Sequence, residues 1–133
     1  MVIALVLAVA LVLTVLVGLG VWVVKRDSRQ DLSIAEILAS ASQNGGYASE
    51  ALQGIQDETV ELCAEVNGCI EGYESPTVQL LRFSSKESAA VFASSSSDVH
   101  QSDWIVIVYV NNSLTDKGRT ELETLVDEMW TSG

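Results

Sequence analysis

The sequence predicts an α+β domain carried behind an N-terminal transmembrane helix, on three observations. Val2 to Val24 is an apolar run without a single charge. Trp104 to Val110 reads Trp-Ile-Val-Ile-Val-Tyr-Val, an unbroken β-branched and aromatic run of the kind that forms a buried strand. Leu122, Leu125, Val126, Met129 and Trp130 then repeat at helical spacing and mark an amphipathic helix. A chain of 133 residues has room for the first run and one further domain. The predicted division is an anchor at 1–24, a polar connector with one short helix at 25–56, and an acidic α+β domain at 57–133.

Sixteen of the 23 residues from Val2 to Val24 are Val, Leu or Ile, and Thr14 is the one clearly polar side chain. As a helix this run is about 34 Å long, enough to cross a hydrocarbon core of about 30 Å. Trp22 sits at the interfacial position, with Lys25 and Arg26 directly behind it. A soluble core helix would show a polar face, and this segment has none. A cleaved signal peptide is the competing reading, with Gly18-Leu19-Gly20 as the cleavage site. It lacks a basic n-region, and the apolar run continues past the site. The lipid bilayer is therefore the expected partner of residues 2–24, and the chain is expected to be a single-pass protein of the cell membrane.

Two signals disagree about the side. Lys25, Arg26 and Arg29 follow the span, and the positive-inside rule then puts the domain in the cytoplasm. Cys63 and Cys69, the two cysteines, lie six residues apart and suit a disulfide in an oxidising compartment. A pair of free buried thiols is the alternative. The expectation leans to the extracytoplasmic side.

Along the chain, Ser33 and Glu36 form a capping-box pattern ahead of Ile37 and Leu38, and Ser42-Gln43-Asn44-Gly45-Gly46 breaks that short helix. A second helix is expected from Asp57, its N-cap, to Val66, with Asn67-Gly68 ending it. Cys69–Glu74 and Thr77–Phe83 read as strands joined through Ser75-Pro76 in a tight hairpin. Ser84 with Glu87 opens a helix through Ala89, Val91, Phe92 and Ala93, which the run Ser94 to Ser97 closes. After the Trp104–Val110 strand, Asn111-Asn112-Ser113 turns the chain and Thr115 caps the last helix. The order α-β-β-α-β-α predicts a small mixed three-stranded sheet packed with helices. The strands flanking the middle helix would pair in parallel through a right-handed crossover.

In the third predicted strand, Trp104, Val106, Val108 and Val110 point to one face and Ile105, Ile107 and Tyr109 to the other. Either helices cover both faces, or the first set is left open as a surface for a protein partner or a second copy of the chain.

From residue 30 onward, 17 Asp and Glu stand against Arg82, Lys86, Lys117 and Arg119, a balance of −13. That surface repels nucleic acid and anionic headgroups, so no nucleic acid is expected as partner. Asp57, Glu58, Glu61 and Glu65 lie along one predicted helix, with Glu71 and Glu74 on the next strand. No calcium-loop pattern accompanies them, and they read as a solvated face, as do Glu121, Glu123, Asp127 and Glu128. His100, the single histidine, has Asp98, Ser102 and Asp103 near it in sequence, but a strand entrance splays alternate residues to opposite faces. No Gly-rich phosphate loop and no HExxH pattern is present, and no catalytic residue, metal ligand or cofactor is expected.

The block from Leu80 to Trp130 holds Leu-Leu-Arg-Phe-Ser-Ser-Lys-Glu-Ser-Ala-Ala-Val-Phe-Ala, then Ser-Asp-Trp-Ile-Val-Ile-Val-Tyr-Val, then a helix ending Val-Asp-Glu-Met-Trp. It resembles small uncharacterised membrane-anchored or exported proteins of high-GC Gram-positive bacteria. That resemblance implies a bacterial envelope location and no activity or site residues. The expectation is a non-enzymatic interaction or accessory domain held at the membrane. The alternative is an envelope domain that binds cations or a small cationic solute through its acidic faces.

Overall fold

A strand with apolar side chains on both faces needs cover on both, and the architecture follows from that requirement. The structure is a computed structural model and describes residues 30–129. The predicted anchor at 2–24, its contact with the bilayer, and Trp130 lie outside the described residues. Among those described, no helix is long and apolar enough to cross a membrane.

In chain order the elements are α1 (Ile34–Asn44), α2 (Gly46–Ala51), β1 (Gln56–Asp57), α3 (Thr59–Cys63), β2 (Cys69–Glu74), β3 (Val78–Phe83), α4 (Lys86–Ser95), β4 (Val99–Ser102), β5 (Ile105–Tyr109) and α5 (Asp116–Glu128). The fold is α+β, as expected. The sheet differs from the expected one: it has five strands in the order β1-β2-β3-β5-β4, and every neighbouring pair is antiparallel.

The predicted parallel pairing of β3 with β5 is corrected by β4. Helix α4 carries the chain past the neighbouring position to β4, which runs parallel to β3 because both are antiparallel to β5. The turn at Asp103, with φ 53°, then folds β5 back into the gap between them. Asp is among the few residue types that adopt this left-handed conformation at modest cost. Val99-His100-Gln101-Ser102 has neither an apolar run nor an apolar alternation, so the strand carries no periodic signal.

One face of the sheet presents Val78 and Leu80 of β3 and Ile105, Ile107 and Tyr109 of β5. Ile34, Ile37 and Ala41 of α1 and Leu122 and Val126 of α5 close over them, with Leu32, Ala51 and Leu52. The other face presents Leu81, Phe83 and Val106 to Ala89 of α4. Leu62, Val66 and Phe92 pack around this smaller cluster, and the Phe83 and Phe92 ring centroids lie 5.4 Å apart.

The segment predicted as a polar connector is thus part of the larger core: Leu32 is 1% exposed, and Ile34 and Ile37 are fully buried. Its average composition hides an apolar stripe at Ile34, Ile37 and Ala41, spaced for one helical face. The capping box ahead of it forms as predicted, Ser33 Oγ accepting from the Glu36 N–H and the Glu36 carboxylate from the Ser33 N–H.

Other predicted ends shift. Ser85, not Ser84, caps α4, and Thr115 caps α5 as expected. The helix predicted from Asp57 to Val66 shortens to α3, because Asp57 ends β1 and its carboxylate accepts from both the backbone and the hydroxyl of Thr59. The Ser75-Pro76 hairpin forms as expected, and Ser75 Oγ and Thr77 Oγ1 both donate to the Ala51 carbonyl, tying α2 to the turn. Gly72 in β2 lets α3 close on the sheet: a Cβ there would lie 2.8 Å from Leu62 Cβ.

These contacts predict that Ile37→Ala lowers stability by about 3 kcal/mol, the cost of a large-to-small change in a packed core. Val60→Ala, at an 80% exposed position, should stay within about 0.5 kcal/mol. Urea unfolding of the two variants reads the difference, and a neutral Ile37→Ala would return residues 30–52 to the role of a connector.

Candidate functional site

Hydrogen-bond alternation fixes which backbone groups the sheet uses. The Phe83 N–H donates to the Trp104 carbonyl and the Val110 N–H to the Thr77 carbonyl, so even-numbered residues of β5 bond to β3. The Tyr109 N–H donates to the Asp98 carbonyl, so odd-numbered residues of β5 bond to even-numbered residues of β4. The N–H and C=O groups of Val99 and Gln101 therefore point away from the sheet. No hydrogen bond from another element reaches them among the described residues.

On the opposite side of the sheet, β2 is covered by β1 and Thr59. Gly72 is the corresponding outward residue of β2, and its carbonyl accepts from the Glu58 N–H at 2.9 Å while its N–H donates to Thr59 Oγ1 at 3.1 Å. Glu74, the next outward residue, pairs with Gln56 of β1. Beyond β2 the sheet ends in the two-residue strand β1, whose outward residue is Asp57; on the other side it ends in the four-residue strand β4.

Helix α5 grips the open edge through one stripe at i, i+4 and i+8. Arg119 makes two bonds to Asp98, at 2.6 and 2.8 Å, and a third to Asn112 Oδ1, with its guanidinium 4.1 Å from the centre of the Tyr109 ring. Tyr109 donates its hydroxyl to Glu123 Oε1 at 2.6 Å. His100 Nε2 lies 2.9 Å from Asp127 Oδ1, and its Nδ1 lies 3.8 Å from Glu123 Oε2. Bonding to Arg119 holds the Asp98 carboxyl below its ordinary value. Burial, and then the bond to Glu123, pushes the Tyr109 phenol well above its ordinary value of 10.0.

Glu123 and Asp127 are thus bonded to the sheet rather than merely solvated. Sequence reasoning missed them because their partners Tyr109 and His100 come from another element. The spacing 119, 123, 127 was the visible signal. His100 meets two carboxylates of a single helix, and the arrangement is a clasp between strand and helix.

The predicted interaction face is covered. Val106 is fully buried and Trp104 is 8% exposed, while Val108 and Val110 are half-buried. Helix α4 supplies the cover, and its Lys86 ammonium sits 4.6 Å from the Trp104 ring centre. The large apolar side chains that stay exposed lie elsewhere: Val60, Val91, Ile70 and Tyr47. Cys63 and Cys69 are joined in a disulfide, with Cα atoms 5.2 Å apart, closing the loop between α3 and β2.

Glu58 sits beside Glu61, and this repulsion, with burial and the charges of Glu74 and Asp57, raises its carboxyl above the ordinary value. Among the described residues, no three His, Cys, Asp or Glu are grouped to hold a metal ion. All four Lys and Arg from residue 30 to 129 are engaged: Arg82 with Glu71, Lys86 with Asp103, Arg119 with Asp98, and Lys117 over the Tyr47 ring. No family model, no curated protein and no solved structure matches the chain.

A phenol whose folded value lies above its unfolded one favours the neutral form in the native state. Its contribution to stability is complete below the unfolded value of 10.0 and falls as pH rises past it. Denaturant titrations from pH 8 to pH 11 should therefore show stability dropping on the alkaline side. Tyr109→Phe should flatten that drop while costing stability at pH 8. An unchanged alkaline slope in the variant would assign the drop to other groups.

Proposed function

We propose that the chain is a single-pass membrane protein whose acidic α+β domain is an interaction or accessory module, held on the extracytoplasmic side against a basic partner protein. The observation that carries this reading is electrostatic. Each cation of the described domain is already bonded or stacked within the fold, and the domain keeps a large acidic excess at its surface. Such a surface attracts basic surfaces, speeds encounter with them and rejects acidic ones.

Two further features support the setting. The charge-free run from Val2 to Val24 has the length and composition of a bilayer-spanning helix. The Cys63–Cys69 bond belongs to an oxidising compartment, and this weighs against the positive residues that follow the run. The described chain starts at the end of the sheet where Cys69 and Phe83 lie, because Arg82 Nη1 donates to the Gln30 carbonyl at 3.2 Å. Gln30 is six residues past Val24, so a chain anchored by that run keeps this end within about 20 Å of the membrane.

Labelling of intact cells with a membrane-impermeant maleimide, with and without prior reduction, tests the placement. Reaction of Cys63 and Cys69 only after reduction, in unbroken cells, is the expected result. Reaction without reductant and only after lysis would place the domain in the cytoplasm. For the interaction, crosslinking in the same cells should give a defined heteromeric band that weakens as salt is raised. A strictly monomeric chain under all crosslinking conditions would contradict it.

A further inference from the structure

The two edges of the sheet are built to different ends. We propose that β4 is a docking edge that accepts an extended segment of another protein as a sixth strand, a segment whose side chains alternate between basic and apolar. This assignment rests on the interaction reading above and names the surface and the partner's chemistry.

The backbone supplies the first half of the recognition. Val99 and Gln101 each aim an N–H and a C=O outward, and residues two apart on a strand repeat every ~6.8 Å, the repeat of an extended partner chain. Strand edges are usually protected by shortness, a proline, a charged side chain such as lysine, a bulge or a covering element. β4 contains no proline or lysine, and its register with β5 runs unbroken from Val99 to Ser102. The other edge is β1, two residues long, with Asp57 as its outward residue. Of the two edges, β4 is the longer, and it presents Val99 and Gln101 outward where β1 presents Asp57.

Side chains supply the second half. A strand added beside β4 would place alternate residues on the two faces of the sheet. On the face shared with His100 these residues meet the α5 carboxylates: the Asp127 side chain is 45% exposed and Glu123 33%. Lys or Arg fits there. On the face shared with Val99 they lie beside Val99, which is half-buried against the smaller apolar cluster. Val, Ile or Leu fits there and extends that cluster.

A second copy of this chain fits badly. Pairing β4 with its own equivalent would set Glu123 and Asp127 against the same carboxylates. The four cations of the described domain are already engaged within it.

The test uses the full chain in nanodiscs of zwitterionic lipid and three fluorescent hexapeptides. One alternates Lys and Val, one alternates Glu and Val, and one is the Lys-Val peptide with alternate backbone nitrogens methylated. The Lys-Val peptide should bind at least about ten-fold more tightly than either of the others, since one loses the charge match and the other the edge hydrogen bonds. Its largest amide shifts should fall on Val99 and Gln101. Gln101→Pro removes an outward N–H that β5 does not use, and it should weaken binding about ten-fold with the fold retained.

Equal binding of the methylated peptide, equal binding of the Glu-Val peptide, or shifts centred away from β4 would each overturn the assignment. If Gln101→Pro fails to fold, the three peptides on the unaltered chain still decide. A cellular crosslinked partner kept in full by Gln101→Pro would overturn the edge while leaving the interaction reading standing. A cytoplasmic labelling pattern would remove the extracytoplasmic placement without changing the peptide result.

Discussion

Apolar side chains on both faces of β3 and β5 are the constraint from which the rest of the structure follows. Val78, Leu80, Leu81, Phe83, Ile105, Val106 and Ile107 are each no more than 2% exposed, although they belong to two short neighbouring strands. Burying both faces takes two helical layers, and a domain of this size must draw on nearly every segment to build them. Residues 32–52 are recruited into the larger layer together with α5. The smaller layer is α4, helped by Leu62 and Val66. The Cys63–Cys69 bond holds the short segment that supplies Leu62 and Val66 against the start of β2, and a loop of that size is worth about 2 kcal/mol in the chain-entropy account.

Polar interactions then finish what the core leaves at the margins. Glu123 and Asp127 on α5 meet Tyr109 and His100 of the sheet, and Arg119 meets Asp98 just before β4. The Arg119–Asp98 and His100–Asp127 pairs are partly exposed and contribute modestly, whereas Tyr109 is buried. Their value is in registry: three contacts at successive turns of one helix set where α5 lies across β4 and β5. The outward side of β2 uses neutral groups instead, with Thr59 reaching both backbone groups of Gly72. The close approach of Leu62 to Gly72 allows this, since a side chain at that position would push α3 away.

Much of this was legible in the sequence. The strand Trp104–Val110, the Ser75-Pro76 hairpin, the Ser33 capping box and the apolar stripe of the last helix are local signals, and each is realised within a residue or two. What escaped detection depends on distant partners. β4 is a strand because β5 pairs with it, and nothing in Val-His-Gln-Ser announces that. Once β4 is missing, the chain direction of β5 inverts, and an antiparallel pair reads as a parallel one. The connector was misread for the opposite reason: its apolar stripe was present, but polar residues on the outer face of α1 outweighed it in composition. The expected interaction face on Trp104 and Val106 is covered because α4 follows β3 on that side. The site described instead is made of main-chain groups, which no side-chain pattern encodes.

The claim that the outward backbone groups of β2 are covered and those of β4 are open is tested most directly by amide hydrogen exchange, residue by residue, on the unliganded chain. Outward amides distinguish β2 from β4. The Gly72 amide, held by Thr59, should be protected, and so should His100 and Ser102, which face β5. Val99 and Gln101 should exchange at rates close to those of loops, giving an alternating pattern along β4. If Val99 and Gln101 are instead protected as strongly as His100 and Ser102, the edge is covered or the register is shifted by one residue, and β4 is not a free edge.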